Sequence, residues 1–173
     1  MTKNLGLTNN YVQLLCKTLT GSYFVGVFPC NLLKTKSKEV LRKVEKNIPF
    51  SMIINLSPDH HEGSHFVALS YRDNDLILFD SLGLKFDDPN IKAFVSCIQE
   101  KCKKVKFTKL DFQIQSFYTS ALCGFYVSAY VFSQSKGYES IETFLDQFHT
   151  HKEKLFLNDK TVIMYICDFI YNL

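Results

Sequence analysis

The chain has 173 residues, which is enough for one domain with a sizeable core and too few to suggest two independent domains. Hydrophobic residues make up 46% of it and charged residues 21%, which excludes an intrinsically disordered chain. The formal net charge is only +3, so the overall charge does not by itself require a polyanionic partner. We therefore expect a single folded domain over residues 1–173.

The six cysteines show no pattern of pairing. There is no C-x-x-C motif and no framework of short regular spacings, and the first ten residues lack the apolar core of a secretory signal. We expect a protein made in a reducing compartment, with most thiols buried as small hydrophobic groups. We expect no metal site, because His60, His61 and His65 have no second group of ligands at suitable spacing.

The first third of the chain predicts two helices and two strands. Apolar residues recur at helical spacing over residues 9–19, with a cap at residue 8 or 9. The predicted buried face of this helix contains Tyr11, Leu14, Leu15 and Leu19. A second helix is predicted over residues 37–47, capped by Ser37. Residues 23–28 and 50–57 read as strands, the latter so apolar that both of its faces should be covered.

The middle of the chain predicts a hairpin, a helix and a further strand. The apolar segments HFVALSY and DLILFDSLG flank a polar turn at residues 72–74, which is typical of a β-hairpin. Helical spacing returns within residues 90–102, after Pro89, which fits a first helical turn. Residues 105–112 alternate like a strand with one exposed face.

The last third predicts three helices. Residues 123–133 are apolar nearly all round, as expected of a buried helix, and residues 139–148 and 161–173 are most simply helical. No repeat, linker or low-complexity segment interrupts the chain. The predicted fold class is therefore α+β, a mixed central β-sheet flanked by helices.

Cys123 is the candidate nucleophile. It stands with Gly124 at the mouth of the apolar run, where a helix would begin. A cysteine attacks only as its thiolate, and an ordinary thiol with a pKa near about 8.5 is mostly protonated at neutral pH. The unpaired N–H groups and the dipole of a helix start favour negative charge there. Gly124 is expected to let a substrate backbone approach closely.

His65 and Asp80 are the candidate base and orienting acid. If the hairpin turn centres between Arg72 and Asp73, with a two- or four-residue loop, these residues lie directly opposite each other on adjacent strands. A three-residue loop would place them on opposite faces. An acid across from an imidazole fixes its tautomer and stabilises the imidazolium that forms when a thiol ionises.

A side-chain amide is needed to donate to the oxyanion of a tetrahedral intermediate, together with the backbone N–H of the nucleophile. Gln115 lies in the segment before Cys123, and Gln113 is a competitor that spacing alone does not exclude.

These residues resemble one family in kind and order. His65, Asp80, Gln115 and Cys123 are carried by GSHFVALSY, LILFDSLG and IQSFYTSALCG, followed by the apolar helix. This order resembles the adenovirus-type maturation proteases, which also occur in virophages and Polinton-like elements. Near the N-terminus, GSYFVGVF is similar to their glycine-aromatic segment, and the resemblance extends over roughly the first three quarters of the chain.

The resemblance implies an adenain-like, papain-like cysteine protease fold within the fold group of the ubiquitin-like-protein proteases. It implies an endopeptidase that processes capsid and core precursors at glycine-containing sites, with Cys123 as nucleophile, His65 as base, Asp80 as orienting acid and Gln115 as oxyanion donor. The substrate-binding residues it implies are Gly63, Ser64, Phe66 and Gly124.

The resemblance also sets expectations about partners. The chemistry would need no cofactor, but a capsid-derived peptide docking at Cys102 and viral DNA would be activators. The expected location is the virion and the host cell interior, in the nucleus or a cytoplasmic virus factory, with no secretion and no membrane contact, and the expected state is a monomer. Two basic clusters suit DNA contact, although solvated helix faces explain them as well. These clusters are Lys34, Lys36, Lys38, Arg42, Lys43 and Lys46, and Lys101, Lys103, Lys104, Lys106 and Lys109.

Three other functions stay open at the level of sequence. A protease that removes ubiquitin or a ubiquitin-like modifier would use the same four residues. A non-catalytic DNA- or capsid-binding protein with an inactive protease fold is less favoured, because all four residues are intact. A Cys-His-Asp acyltransferase is a further alternative, and the sequence shows nothing like a binding loop for its acyl donor.

Overall fold

The secondary structure is known from a computed structural model, which describes residues 7–57, 65–84, 87–110, 112–136 and 141–171. The helices in this part of the chain are α1 (Asn9–Thr20), α2 (Leu33–Glu45), α3 (Pro89–Lys101), α4 (Cys123–Ser135), α5 (Ile141–Leu145) and α6 (Leu155–Tyr171). The strands are β1 (Phe24–Pro29), β2 (Phe50–Asn55), β3 (Phe66–Arg72), β4 (Asp75–Phe79) and β5 (Lys106–Lys109). The α+β class is therefore confirmed.

The five strands form one mixed sheet in the order β1-β2-β3-β4-β5. The outer pairs, β1 with β2 and β4 with β5, are parallel, and the two central pairs are antiparallel. All six residues of β2 are buried, as the apolar run predicted. Because of these strand directions, β2 ends, β3 begins and β4 ends at the same end of the sheet, and the candidate site lies at that end.

Helices cover both faces of the sheet and divide the core into two layers. On one face, α4 packs between α1 and α6, and nearly every residue of α4 is buried, as predicted. On the other face, α2 and α3 pack against β2, β3 and β4. The apolar face predicted for α3 is confirmed, with Asp88 as its N-cap and Pro89 in its first turn. None of the helices described here is long and apolar enough to cross a membrane.

The predicted buried face of α1 is partly wrong. Leu15 and Leu19 pack against the core as predicted, but Tyr11 and Leu14 are each 65% exposed, whereas Val12 and Cys16 are fully buried. The cap at residue 8 is confirmed, since the Thr8 hydroxyl accepts a hydrogen bond from the Tyr11 N–H. Apolar residues occur on more than one side of this helix, so spacing alone did not determine which of them face the core. Contact with α4 determines which side is buried.

Two helix starts differ from the sequence prediction. Helix α2 begins at Leu33, four residues before the predicted cap at Ser37, which therefore lies inside the helix. A short 3₁₀ turn over Cys30–Leu32 leads directly into α2, and the Leu33 N–H bonds to the Cys30 carbonyl without a side-chain cap. Helix α6 likewise begins at Leu155, six residues before the predicted start. For α5, the predicted first residues 139 and 140 lie outside the described ranges.

Candidate active site

Cys123 is the first residue of α4, as predicted, and follows the 3₁₀ helix Phe117–Leu122. Its side chain is buried, with 6% of the residue exposed. The position gives the sulfur the field of the helix start, where unpaired N–H groups favour a negative charge. The remaining apolar residues of α4 hold this end of the helix against β2 and β3.

His65 and Asp80 meet at the end of the sheet that holds Cys123. The Nε2 atom of His65 lies 2.6 Å from Oδ1 of Asp80, and both residues are buried. Two backbone N–H groups complete the environment of the carboxylate: that of Leu82 donates to Oδ1 and that of Leu84 to Oδ2, each at 3.0 Å. The loop after β4 therefore holds the carboxylate in one orientation.

The predicted hairpin register is wrong by one position on each strand, although the predicted contact is present. Asp73 and Asn74 form a two-residue turn with positive φ angles of 49° and 69°. The turn therefore centres one residue later than expected, and the register pairs Ala68 with Phe79. Continued by one pair, this register places Asp80 opposite Val67, so His65 is its diagonal neighbour. Diagonal neighbours share a face, and the imidazole is long enough to span the difference.

The contact with Asp80 fixes the tautomer of His65. A carboxylate only accepts hydrogen bonds, so Nε2 must carry the proton that it donates to Asp80. In a neutral ring Nδ1 is then the acceptor, and it is buried without a hydrogen-bond partner among the described residues. Besides Asp80, the group that acts on the imidazole is the Cys123 sulfur. Nδ1 is therefore the atom that can take a thiol proton.

The pKa of His65 is raised from its ordinary 6.5 to about 9. Burial is the largest influence and lowers the pKa, but the hydrogen bond to Asp80, the neighbouring Cys123 sulfur and the charges of both residues more than offset it. At neutral pH the arrangement therefore favours an imidazolium beside the Asp80 carboxylate, and a protonated imidazole is the partner that a thiolate nucleophile requires.

This raised pKa predicts a pH-dependent stability. The unfolded imidazole releases its proton near pH 6.5 and the folded one near pH 9, so the stabilisation is complete below pH 6.5 and is lost as the pH rises through 9. We expect a loss on the order of 3 kcal/mol in the free energy of unfolding, measured by urea denaturation at pH 6.0, 7.5 and 9.5. The difference between wild type and His65→Gln isolates this contribution, and His151→Gln, at an exposed histidine, is the matched control. A pH profile shared by wild type and His65→Gln would contradict the prediction.

Gln115 is buried at the same end of the sheet and is joined to Asp80 through Ser81. The Ser81 hydroxyl donates to Oε1 of Gln115 at 2.6 Å, and the Ser81 carbonyl accepts the backbone N–H groups of Ile114 and Gln115, each at 2.9 Å. Because its oxygen is held by Ser81, the amide presents its NH₂ group on the other side. Gln113 is half-buried, and its Nε2 donates to the Gln115 carbonyl within the same segment.

Ser81 is a site residue that the sequence reasoning missed. It is buried and connects the residue after the orienting acid to the candidate oxyanion donor. Its only sequence signal was its place directly after Asp80 in the motif FDSLG. A serine at the end of a strand is usually a turn residue, so this signal did not distinguish it.

Gly124 packs closely against the start of α1. A Cβ atom there would lie 3.0 Å from the Leu7 Cβ and 3.2 Å from the Val12 Cγ2. The space beside this glycine is thus filled by α1 and the residue before its cap. Its predicted contact with a substrate backbone stays a prediction.

We predict that Gly124→Val lowers the free energy of unfolding by about 2 kcal/mol, because the added methyl groups overpack the contact with Leu7 and Val12. The measurement is urea denaturation of this variant, of Val12→Ala and of the double mutant. If the contact is the cause, Val12→Ala costs less in the Gly124→Val background than in wild type. Additive losses would show that the two residues do not interact.

The roles predicted for the other site residues stay predictions. Gly63 and Ser64 lie outside the described residues. Phe66 is 4% exposed and packs in the core layer that contains Cys123, so its contact with substrate stays a prediction. Cys102 is half-buried at the C-terminal end of α3, and its role in docking a peptide also stays a prediction. Among the described residues, no group of three His, Cys, Asp or Glu side chains could hold a metal ion.

The architecture is that of the Ulp1-like cysteine proteases, a mixed α+β fold with a five-stranded sheet between helices. Two structures of the SUMO protease Ulp1, with the catalytic cysteine oxidised to a sulfinic and to a sulfenic acid, match 96% and 95% of this chain. They match over 88% and 81% of their own length, with TM-scores of 0.51 and 0.52 and 14% sequence identity in each case. No family model and no curated protein matches the sequence.

Proposed function

We propose that the protein is a cysteine endopeptidase with Cys123 as nucleophile, His65 as general base and acid, and Asp80 as the acid that orients His65. The observation that carries this proposal is the buried 2.6 Å contact between His65 and Asp80, on an imidazole that also interacts with Cys123 at a helix start. A histidine that bonds to a carboxylate through one nitrogen, keeps the other free to accept a proton and interacts with a thiol has the arrangement expected beside an activated nucleophile.

In acylation, the Cys123 thiolate attacks the carbonyl carbon of the scissile peptide. A carbon–sulfur bond forms and the carbonyl electron pair moves onto the oxygen, which receives hydrogen bonds from the Gln115 side chain and the Cys123 backbone N–H. The His65 imidazolium then gives its Nδ1 proton to the leaving nitrogen, and the carbon–nitrogen bond breaks. Gln115 is preferred over Gln113 because Gln113 donates to a carbonyl of its own segment.

In deacylation, a water molecule gives a proton to Nδ1 of the now neutral His65 and attacks the thioester carbonyl. The carbon–sulfur bond breaks, and the thiolate and imidazolium are restored as the acid product leaves. Asp80 stays ionised throughout, since its role is to hold the Nε2–H tautomer and to stabilise the positive ring.

The proposed substrates are viral capsid and core precursor proteins, cleaved at glycine-containing sites during virion maturation. The support is the order of His65, Asp80, Gln115 and Cys123 with the motifs around them, which resembles the adenovirus-type maturation proteases. A capsid-derived peptide docking at Cys102 and viral DNA at the basic clusters belong to this proposal as activators. So does a location in the virion and the interior of the host cell, with the protein acting as a monomer.

A second candidate function is removal of a ubiquitin-like modifier. It is favoured by the fold, since the SUMO protease Ulp1 matches this chain over nearly the whole length of both. The two candidates use the same chemistry and differ in what docks outside the catalytic residues. A maturation protease needs a short extended segment, whereas a modifier protease needs the folded surface of the modifier.

The discriminating experiment measures kcat/KM on two substrate sets at one pH. One set is a library of peptides of about ten residues with glycine on either side of the scissile bond, and the other consists of ubiquitin and SUMO fused to a reporter. Cleavage of peptides as fast as fusions favours the maturation protease, and cleavage of fusions alone favours the modifier protease. Failure on both sets, with and without DNA and a capsid-derived peptide, would contradict an endopeptidase.

A further inference from the structure

Helix α6 carries two polar side chains into the core. Asn158 is fully buried and Asp159 is 8% exposed. A buried amide or carboxylate costs free energy unless hydrogen bonds satisfy it, so residues of this kind indicate a specific partner. Asn158 bonds to the segment that carries Gln115, and Asp159 bonds to Tyr126 of α4.

Asn158 makes three hydrogen bonds to two backbone segments. Its Nδ2 group donates to the carbonyl oxygens of Ile114 and His149, each at 2.7 Å, and its Oδ1 accepts the His149 N–H at 2.8 Å. Both amide hydrogens are therefore used, and the side chain ties residue 114 to the connection between α5 and α6. A planar amide with three hydrogen-bond partners fixes the direction of the groups that it binds. A charge or apolar packing alone would not do so.

The backbone of Ile114 is thereby held from two sides. Ser81 accepts the N–H groups of Ile114 and Gln115 from the end of the sheet, and Asn158 donates to the Ile114 carbonyl from α6. Because that carbonyl belongs to the peptide unit that links Ile114 to Gln115, its direction determines where the Gln115 side chain starts. Ser81 then orients the far end of that side chain through Oε1.

A second pair of residues lies beside the same carbonyl. The Tyr126 hydroxyl donates to Oδ1 of Asp159 at 2.8 Å and lies 3.4 Å from the Ile114 oxygen. Burial, and then the hydrogen bond and charge of Asp159, raise the pKa of Tyr126, so its hydroxyl remains a protonated donor. Helices α4 and α6 therefore approach the Ile114 carbonyl together.

We infer that Asn158 is a positioning residue for catalysis, which holds the Ile114–Gln115 peptide so that the Gln115 amide donates to the oxyanion. The inference rests on the proposed function, in which Gln115 has that role. Oxyanion stabilisation depends on donors that are already in place when charge develops, and a misplacement of about 1 Å is enough to lose much of it. Asn158 has no contact with substrate and acts only through Gln115.

The described hydrogen bonds of Asn158 do not involve Cys123. Its described partners are Ile114 and His149, whereas Cys123, His65 and Asp80 are held by α4 and by the strands β3 and β4. Alkylation of Cys123 needs the thiolate but no oxyanion donor, while peptide hydrolysis needs both. The ratio of these two rates is therefore a readout that a general loss of structure would not change selectively.

The experiment compares Asn158→Ala with Val162→Ala, a fully buried apolar residue one turn further along α6. Each variant is measured for kcat and KM on a cleaved peptide, for the rate of iodoacetamide alkylation of Cys123, and for unfolding in urea. We expect Asn158→Ala to lower kcat about 100-fold while KM and the alkylation rate change less than about threefold. Val162→Ala should lose stability but keep kcat within about twofold.

Two further variants complete the test. If Asn158→Ala does not fold, Asn158→Asp takes its place in the test. It keeps the volume but replaces the donor with an acceptor facing the Ile114 carbonyl, so we expect it to lower kcat about 100-fold as well. Asn158→Ala combined with Gln115→Ala should be no slower than Gln115→Ala alone, because both act through one amide. A folded Asn158 variant with wild-type kcat, a parallel fall in alkylation and kcat, or independent multiplication of the two losses would overturn the inference.

Failure of the inference differs from failure of the proposed function. If wild type hydrolyses peptides and Gln115→Ala is slow but Asn158→Ala is not, only the role of Asn158 is wrong. If wild type hydrolyses no peptide and Cys123 is not selectively alkylated, the endopeptidase itself is wrong.

Discussion

Replacement of Cys123 with serine is expected to lower kcat/KM for peptide hydrolysis by about 10⁴-fold or more while the fold is retained. The imidazolium of His65 can stabilise a thiolate, but a serine hydroxyl remains protonated beside it. The change removes only the sulfur, so α4 should keep its packing and the urea midpoint should move little. The measurement is kcat/KM on a cleaved peptide, with circular dichroism to confirm folding.

Cys16→Ser is the matched control for this prediction. Cys16 is a second buried thiol in the same core layer, but burial raises its pKa to about 12, only partly offset by its contact with Ser128. Within the described part of the chain no imidazole acts on its thiol, so Cys16→Ser should keep kcat/KM within about twofold. Equal losses in the two serine variants would show that the core, not the Cys123 sulfur, limits activity.

Asp80→Asn is expected to lower kcat by about 10³-fold. The amide removes the charge that stabilises the His65 imidazolium, and it allows the ring to adopt the tautomer with the proton on Nδ1. It also places an NH₂ group near the N–H of Leu82 or Leu84, each of which now donates to a carboxylate oxygen. We therefore expect a loss of stability of about 2 kcal/mol as well.

Asp88→Asn provides the comparison for Asp80. Asp88 also accepts two backbone N–H groups, those of Asn90 and Ile91 at the start of α3, but it lies outside the candidate site. Asparagine is as good an N-cap as aspartate, so both activity and stability should stay close to wild type. A kcat for Asp80→Asn within about tenfold of wild type would mean that His65 does not depend on this carboxylate.

The sequence predicted the contact between His65 and Asp80 better than it predicted the hairpin register that produces it. The alternation of side chains along the two strands of the hairpin placed His65 and Asp80 on one face of the sheet, and they are in contact. The register was wrong because Asp73 and Asn74 both adopt left-handed backbone conformations, which centres a two-residue turn one position later. Such a shift moves both strands by one residue. His65 and Asp80 therefore stay on the same face of the sheet, but they are no longer directly opposite each other.

Residues that act through tertiary hydrogen bonds could not be found from the sequence. Asn158 lies 44 positions from Ile114, and its pattern within α6 is only that of a polar residue in an apolar helix. For Gly124 the sequence suggested only substrate access, and its close packing against α1 could be found only from the tertiary structure. Periodicity gives the elements, but the partner of each face depends on how the helices pack.

The central claim is that Cys123 and His65 form a thiolate–imidazolium pair, and selective alkylation tests it most directly. The folded protein and His65→Ala are treated with iodoacetamide at mildly acidic pH, and mass spectrometry reports which of the six cysteines reacts. We expect Cys123 to react first in wild type, ahead of the half-buried Cys102 and the exposed Cys167, and to lose this advantage in His65→Ala. If Cys123 reacts no faster than those thiols, with DNA and a capsid-derived peptide present as well as without them, the pair does not exist and the proposed chemistry is wrong.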